Sequence, residues 1–600
     1  MAAMVTVAQV DLGRVCGDED KMVVEEIDQV LRECVLQRRP VYIALPTDMV
    51  DLPVDAARLA SPINTFPTVT PKSERAEEEV LARLLSCISH ATQPLLIIDG
   101  FVARWSIFSE IDTLVRLLRW PTTSTPFGKS CIDETLPNFH GIYAGIAGRS
   151  VYKPWVDACD LVLRFGGLDS DVNTYGFSTL PPERATVNFH RDHIVFGEEG
   201  EKIEGVDIRR LLGRLIAQLR EMDANGQIPR MEPYPTHLGD PRAELASLPP
   251  PDPQAKIEQH DFWQRISMFF REGDVILTET GTPSVGSREF VLPRNARLIN
   301  SSIWLSIGFM MAAACGAALG VREILQQERK DEGENGESSH REQGDGQNGL
   351  QRNEESNSTS ALNNPPQRNV LSSTIASGRT ILFEGDGSFQ MTAQELSTVI
   401  SHKLDLTLFL INNDGYTIER FIHGMKAHYN DVPRWRYLDA PYFFGADMTG
   451  EGEEREWQGI EAGTDAGAGA GDVVVNGTVN GDGGDEGVLD VETGAEVKGH
   501  ARKEKQITKA QGRRQGQEYK IQTYQATTWG DLLSILAKGE VKSGKGLCMI
   551  EVFMDREDAP ESLKRLVANV VRRNSGQSED DERARSEGKI VEEKIMKAAG

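Results

Sequence analysis

The sequence lacks the features of several common protein classes. Its seven cysteines are scattered and never spaced as C-x-x-C, so neither a disulfide framework nor a structural zinc site is expected. Positive charge is in deficit, since 65 Lys and Arg residues face 91 Asp and Glu residues and the net charge is −26. A chain of this charge repels nucleic acid phosphates and anionic membranes. We therefore expect neither as a partner.

Targeting signals are also absent from the first residues. The start of the chain has no basic stretch followed by an apolar run, and it is not the Arg-rich, acid-poor type of a transit segment. One uncharged stretch, 302–321, is long enough to span a bilayer. About half of it is Ala, Gly, Ser and Cys, and no basic cluster or aromatic belt flanks it. We interpret it as a buried helix and expect a cytoplasmic protein.

Apolar residues are sufficient for several packed domains. The chain has 600 residues, of which 39% are hydrophobic, and this length predicts about three or four domains. Short apolar strands alternate with helical patterns, which predicts an α/β fold with parallel sheets flanked by helices on both faces. The predicted strands are 41–45, 95–99, 161–165, 275–279, 380–384, 406–411 and 547–553, and predicted helices include 106–118, 206–222, 258–270 and 392–404.

Two polar segments interrupt this alternation. Residues 328–372 contain almost no aliphatic side chains, and residues 449–515 begin with a stretch rich in Gly and acidic residues. Such compositions cannot offset the entropy of ordering, so both segments are predicted to be disordered insertions. The predicted divisions are an N-terminal segment with a linker (1–60), a central α/β domain (61–240), a C-terminal domain that contains both insertions (250–575) and a charged tail (576–600).

The most informative motif joins two predicted strand ends. One strand ends in Gly385-Asp386-Gly387-Ser388, and the next ends in Asn412-Asn413-Asp414-Gly415. A right-handed crossover makes the strands parallel, so both ends lie at the sheet edge where α/β proteins bind ligands. A carboxylate, an amide oxygen and a backbone carbonyl suit Mg²⁺, and the N–H groups of Gly387 and Ser388 suit a diphosphate. GDG alone is a weak signal, but GDG with NN at this spacing is a strong one.

Two other phosphate-binding motifs fail on detail. The GDGSFQ segment lacks the third Gly of the dinucleotide fingerprint. The segment 127–130, FGKS, looks like the end of a P-loop, but Thr123 stands where the leading Gly belongs. A dinucleotide enzyme and an NTPase are therefore disfavoured.

With these motifs, the chain resembles the thiamine diphosphate enzymes, and among them the fungal pyruvate decarboxylases. The similar segments include 38–54, 127–145, 273–286, 303–309, 384–397 and 412–431, the last of which reads NNDGYTIERFIHGMKAHYND. The resemblance implies Mg²⁺ bound by Asp386, Asn413 and the carbonyl of Gly415. It implies decarboxylation of a 2-oxo acid, most simply pyruvate to acetaldehyde and CO₂, through the ylide of thiamine diphosphate. The implied cofactor contacts are Thr282, Leu305, Ser306, Ile307, Gly387, Ser388, Asn413, Asp414, Gly415, Tyr416, Thr417 and Ile418.

The resemblance also implies a catalytic carboxyl and a substrate pocket. Glu419 stands at the family's catalytic position, and we expect burial to raise its pKa so that it relays a proton. The alternative is a surface Glu paired with an Arg. The implied pocket residues are Thr280, Ile418 and Ile422. His423 and His428 are five residues apart, so structural roles are expected rather than a shared metal site.

The N-terminal region departs from the family pattern. The family's N-terminal domain supplies a Glu and adjacent histidines to the site, whereas this sequence has no His-His pair and its first 60 residues show no complete strand and helix series. We therefore expect a remnant of the pyrimidine-binding domain in 1–60. Because the family's sites form between chains, a homodimer or homotetramer is expected. The alternatives are an inactive structural or regulatory partner of a full-length decarboxylase, or a carboligase of the acetolactate synthase type.

Overall fold

A computed structural model describes residues 2–14, 20–51, 53, 70–197, 200–301, 303–341, 378–446 and 519–574. The described residues form three sheets, of which the two larger are flanked by helices, and this confirms the predicted α/β fold. The six cysteines among them are free, and no helix in these ranges is long and apolar enough to cross a membrane. The predictions for 342–372, 449–515 and 576–600 lie outside the described residues.

A small parallel unit comes first. Its elements are β1 (Gln9–Asp11), α1 (Asp20–Gln37) and β2 (Tyr42–Ala44). Val10, Leu12 and Val30 form its small apolar cluster. The predicted buried strand at 41–45 is wrong in its burial, since Tyr42 and Leu45 are 50% and 53% exposed. A two-stranded sheet has too little surface to cover its own side chains.

A seven-stranded sheet follows, in the order β5-β4-β3-β6-β7-β8-β9. Its strands are β3 (Pro94–Ile98), β4 (Thr122–Ser124), β5 (Phe139–Ile142), β6 (Leu161–Phe165), β7 (Thr186–Phe189), β8 (His193–Phe196) and β9 (Glu201–Glu204). The sequence did not predict that β8 runs antiparallel to both of its neighbours, β7 and β9. The helices around this sheet are α2 (Pro71–His90), α3 (Phe101–Trp105), α4 (Phe108–Leu118), α5 (Tyr152–Asp157), α6 (Ile208–Ala224) and α7 (Pro241–Ser247). Apolar cores lie on both of its faces.

A six-stranded sheet has the order β11-β10-β12-β13-β15-β14, and every strand in it is parallel. Its strands are β10 (Val275–Thr278), β11 (Arg297–Asn300), β12 (Thr380–Gly385), β13 (Leu406–Asn412), β14 (Ile521–Ala526) and β15 (Leu547–Phe553). Alternate residues face two cores, since Ile381 and Phe383 lie in one and Leu382 in the other. All carboxyl ends therefore share one edge, where α/β sheets bind ligands.

The helices of this last region are mostly short. They are α8 (Gln259–Arg265), α9 (Thr282–Gly286), α10 (Met310–Arg341), α11 (Asp386–Thr392), α12 (Glu395–Ser401), α13 (Thr417–His423), α14 (Ala440–Phe443), α15 (Trp529–Ala537), α16 (Gly539–Ser543) and α17 (Glu561–Asn574).

Helix α10 differs from the sequence prediction at both ends. It begins at Met310, so 303–309 is a loop and not the first part of a buried helix. It also continues to Arg341, so 328–341 is helical where disorder was predicted. Glu, Gln, Lys and Arg are good helix formers, and they extend a helix once packing has started it.

The FGKS segment joins the central sheet to the six-stranded one. Lys129 is buried, with Nζ at 2.9 Å from the carboxylate of Glu134 and at 2.7 Å from the carbonyl of Phe290. The hydroxyl of Ser130 accepts from the amide of Leu298. Because Lys129 is used in this contact, it cannot serve a phosphate as a P-loop lysine does.

Candidate active site

The predicted site residues lie at the carboxyl edge of the six-stranded sheet. Thr280 and Thr282 follow β10, Asp386 follows β12, and Asn413 follows β13. These strands are neighbours, so residues far apart in sequence meet at this edge. The loop 303–309, which follows β11, reaches the same place because Thr280 Oγ1 donates to the carbonyl of Ser306 at 3.2 Å.

Asp386 is a buried carboxyl without a cationic partner in the described part of the chain. It is 2% exposed, and it accepts from the backbone N–H of Gly387 at 2.8 Å and of Gly415 at 2.9 Å. Burial raises its pKa to about 7, although these two hydrogen bonds partly oppose the shift. A carboxylate in this environment is stabilised by a cation.

The side-chain amide of Asn413 lies beside Asp386. One of its two terminal atoms is 3.1 Å from the carbonyl oxygen of Gly415 and 3.3 Å from Asp386 Oδ1, and the other is 2.8 Å from Thr417 Oγ1. Without a cation the first position suits the NH₂ group, which donates to both oxygens, whereas a cation between them would require the amide oxygen there. The three groups predicted to bind Mg²⁺ therefore converge. No group of three or more His, Cys, Asp or Glu side chains elsewhere in the described ranges offers a metal site.

Gly387 and Ser388 begin α11 directly beside these oxygens. A Cβ atom at Gly387 would lie 2.6 Å from the ring of Tyr416, so only glycine fits. Ser388 Oγ donates to the carbonyl of Thr280 at 3.4 Å. Thr282 is buried at the start of α9. The predicted diphosphate contacts thus lie close together around one end of the sheet.

The loop 303–309 is open to solvent. Trp304 is 84% exposed and Ile307 is 42% exposed, which corrects the interpretation of this stretch as buried. Leu305 has φ +50°, a left-handed conformation that favours glycine.

Glu419 lies on the exposed side of α13. Its side chain is 40% exposed, and its carboxylate lies 3.3 Å from Nε2 of His423, one turn along the helix. In the single chain Glu419 is therefore only partly desolvated, its burial in the site stays a prediction, and its paired residue is a His rather than an Arg. Ile422 is 55% exposed and Ile418 is partly buried. His428 contacts Asp431 instead of a metal site.

Sequence reasoning missed several buried charged groups near this edge. Glu384 is fully buried, neither of its carboxylate oxygens has a partner among the described residues, and burial beside Glu279 raises its pKa well above the usual range. Arg420 is also fully buried. The only sequence signal for Glu384 was a charged residue at the end of an apolar strand. Arg420 gave no signal, because an Arg on a short helix is usually solvated.

Comparison with known protein families agrees with this location. The family model for the thiamine pyrophosphate enzyme central domain matches residues 81–211. The model for the C-terminal TPP binding domain matches residues 372–437. The second match includes Asp386, Asn413 and Glu419.

Individual relatives extend the similarity along the chain. Pyruvate decarboxylase of Aspergillus parasiticus is 35% identical over 578 residues, which cover 96% of this chain and 77% of the relative. The Candida glabrata enzyme of the same name is 34% identical over 421 residues, or 70% of this chain and 63% of the relative. Pyruvate decarboxylase isozyme 1 of Saccharomyces cerevisiae is 32% identical with the same coverage, so the chain spans less than two thirds of these yeast proteins. This chain therefore belongs to the family of thiamine diphosphate-dependent enzymes that contains the fungal pyruvate decarboxylases.

Proposed function

We propose that this chain binds thiamine diphosphate with Mg²⁺ and decarboxylates a 2-oxo acid, with pyruvate as the substrate and acetaldehyde and CO₂ as products. The convergence of Asp386, Asn413 and Gly415 supports this best. Asp386 is a buried carboxylate without a cationic partner among the described residues, and it lies next to the Asn413 side-chain amide and the Gly415 carbonyl, which together have the donor chemistry that Mg²⁺ requires. The residues present therefore fit the family's cofactor.

The residues of the chain have distinct proposed roles. Asp386, Asn413 and the carbonyl of Gly415 hold Mg²⁺, and the N–H groups of Gly387 and Ser388 bind the diphosphate. When bound, thiamine diphosphate would supply a carbon nucleophile for the 2-oxo carbon and an electron sink for the pair that departing CO₂ leaves behind. The remaining proposed cofactor contacts are Thr282, Leu305, Ser306, Ile307, Asp414, Tyr416, Thr417 and Ile418.

Proton transfer and substrate contact are assigned to the exposed side of the site. Glu419 transfers a proton to and from the reacting substrate through its carboxyl oxygens. Thr280, Ile418 and Ile422 form the wall against the small apolar part of the 2-oxo acid. The methyl group of pyruvate is small enough to pack against such a wall.

The exposure of several site residues supports the proposal that a second chain completes the site. Glu419, Ile307 and Ile422 are 40%, 42% and 55% exposed, whereas proton transfer of this kind needs a site from which water is excluded. We propose a homodimer or homotetramer in which another chain covers this face. The second candidate function, an inactive partner of a full-length decarboxylase, uses the same surface. The cytoplasmic location stays a prediction.

The test is acetaldehyde release from pyruvate by the purified chain with Mg²⁺ and thiamine diphosphate. Glu419→Gln is expected to lower kcat by about 100-fold without weakening cofactor binding, because it removes only the proton donor. Glu395→Gln on α12 serves as the control and should retain full activity. Activity that appears only when a full-length pyruvate decarboxylase is added supports the second candidate. Absence of CO₂ release from any 2-oxo acid under both conditions contradicts the proposal.

A further inference from the structure

Arg420 is a charged residue in an unusual place. It follows Glu419 on α13, and its side chain is fully buried. Its Nη2 donates to the carbonyl of Asp414 at 2.6 Å, and its Nη1 donates to Asp431 Oδ1 at 2.9 Å. Burial of a guanidinium is unfavourable unless its hydrogen bonds are made, and Nε has no partner among the described residues. Stability alone is therefore a poor explanation for an Arg at this position.

The acceptor at Asp414 belongs to the loop that carries the proposed metal ligands. Asp414 has φ +62° and Gly415 has φ +122°, so two successive residues are in the left-handed region. A Cβ atom at Gly415 would lie 2.3 Å from the carbonyl oxygen of Asn430 and 2.8 Å from Nη2 of Arg420. The guanidinium thus packs directly against the backbone of this loop.

Other contacts hold the same loop from outside. Arg434 makes two hydrogen bonds to the carboxylate of Asp414, at 3.1 and 2.9 Å. The amide of Tyr416 donates to the carbonyl of Asn430 at 2.9 Å. Arg556 donates to Asp431 Oδ1 at 2.6 Å. Arg420 is the member of this network that touches both the loop and Asp431, and so it connects the loop to the following turn.

We propose that Arg420 is a positioning residue for the metal site. Its hydrogen bond fixes the peptide between Asp414 and Gly415, so that the Gly415 carbonyl and the Asn413 amide face Asp386. This inference rests on the proposed function, because it assigns the loop to Mg²⁺. A residue that stabilises the fold only would not change the Mg²⁺ affinity of the folded protein.

The experiment titrates Mg²⁺ into the full chain in the presence of saturating thiamine diphosphate. Calorimetry measures the heat of binding and gives the Mg²⁺ affinity. Arg420→Gln is expected to weaken Mg²⁺ binding by about 10- to 100-fold, which is the usual effect of losing a residue that hydrogen-bonds a metal ligand. Arg420→Lys is expected to restore most of the affinity. Arg379 provides the control, since it is buried in an ion pair with Asp274 at the opposite edge of the same sheet. Arg379→Gln should lower stability and leave Mg²⁺ affinity within about threefold.

The outcomes separate this inference from the proposed function. If the wild-type chain does not bind Mg²⁺ with thiamine diphosphate, the proposed function fails first. If the wild type binds and folded Arg420→Gln binds equally well, or Arg379→Gln is equally impaired, only the positioning role is wrong. If Arg420→Gln does not fold, Asp431→Asn decides, because Asp431 is 41% exposed and orients Arg420. Unchanged Mg²⁺ affinity in Asp431→Asn then overturns the inference.

Discussion

The central and six-stranded sheets each have a buried Asp-Gly pair at the carboxyl end of a middle strand. Asp99-Gly100 follows β3, and Asp386-Gly387 follows β12. Both carboxyls have a pKa that burial raises. The two differ in what surrounds them, and this difference separates a structural carboxylate from a proposed functional one.

Asp99 is fully satisfied by the protein. Its oxygens accept from Thr125 Oγ1 at 2.6 Å, from the amide of Leu168 at 2.9 Å and from Asn173 Nδ2 at 2.9 and 3.1 Å. The guanidinium of Arg164 lies at 3.8 Å. Among the described residues Asp386 has no cationic partner: it accepts from the backbone N–H groups of Gly387 and Gly415 and lies 3.3 Å from the side-chain amide of Asn413. A buried carboxylate that the protein leaves incomplete is the one that needs a ligand.

The largest expected effect is that of Asp386→Asn. Loss of the carboxylate should weaken Mg²⁺ binding by more than about 100-fold. This exceeds the usual effect of losing a residue that only hydrogen-bonds a metal ligand. Decarboxylation should fall with it. The fold should lose less stability than in the Asp99 variant described below: the new NH₂ group faces the N–H of Gly387 or Gly415, but a neutral amide is easier to bury than a carboxylate. Calorimetric titration with Mg²⁺ and a thermal scan measure the two effects, and retained Mg²⁺ affinity would remove the distinction between the two carboxyls.

The matching change in the central sheet is Asp99→Asn. The new NH₂ group faces N–H donors, so the protein should lose about 2–3 kcal/mol of stability while Mg²⁺ affinity stays within about threefold. Urea unfolding and the same Mg²⁺ titration test this. A large loss of Mg²⁺ affinity in a folded Asp99→Asn protein would show that the central sheet also controls the metal site.

The pH dependence of Mg²⁺ binding sharpens the comparison. Because burial raises the pKa of Asp386 to about 7, a proton competes with the cation, and affinity should fall about tenfold per pH unit below pH 6. The cation-free protein should lose stability as the pH rises from about 4 to about 7, since over this range the unfolded chain has released the proton that the folded state retains. Titrations between pH 5 and pH 8 in wild type and Asp99→Asn should give the same slope. A flat profile contradicts the assignment.

The smallest expected effect is that of Leu305→Gly in the exposed loop. Glycine removes the strain of φ +50° at Leu305, so stability should rise by up to about 1 kcal/mol. A thermal scan without cofactor measures this. A clear loss of stability would show that packing of the partly exposed Leu305 side chain outweighs the backbone strain.

Strand pattern and topology were readable from the sequence. The predicted strands 161–165 and 547–553 coincide with β6 and β15, because buried parallel strands are continuous apolar runs. Parallel crossover also predicted that Asp386 and Asn413, 27 residues apart, would meet. Local composition alone could not have brought them together.

The sequence did not reveal which distant residues surround a given side chain in the folded protein. The sequence pattern of the uncharged loop 303–309 favours a helix, because periodicity cannot distinguish an apolar loop from a buried helix. The exposure of Glu419 and the burial of Arg420 depend on elements distant in sequence. Asp99-Gly100 shows the same limit, since the residues that satisfy Asp99 lie 26 to 74 positions further along the chain.

The most direct test of the central claim is anomalous diffraction from crystals of the chain grown with Mn²⁺ and thiamine diphosphate. The account predicts a Mn²⁺ peak bounded by the carboxylate of Asp386, the amide oxygen of Asn413 and the carbonyl oxygen of Gly415, with no peak at Asp99. A peak elsewhere, or none at Asp386 in crystals that contain the cofactor, would contradict it.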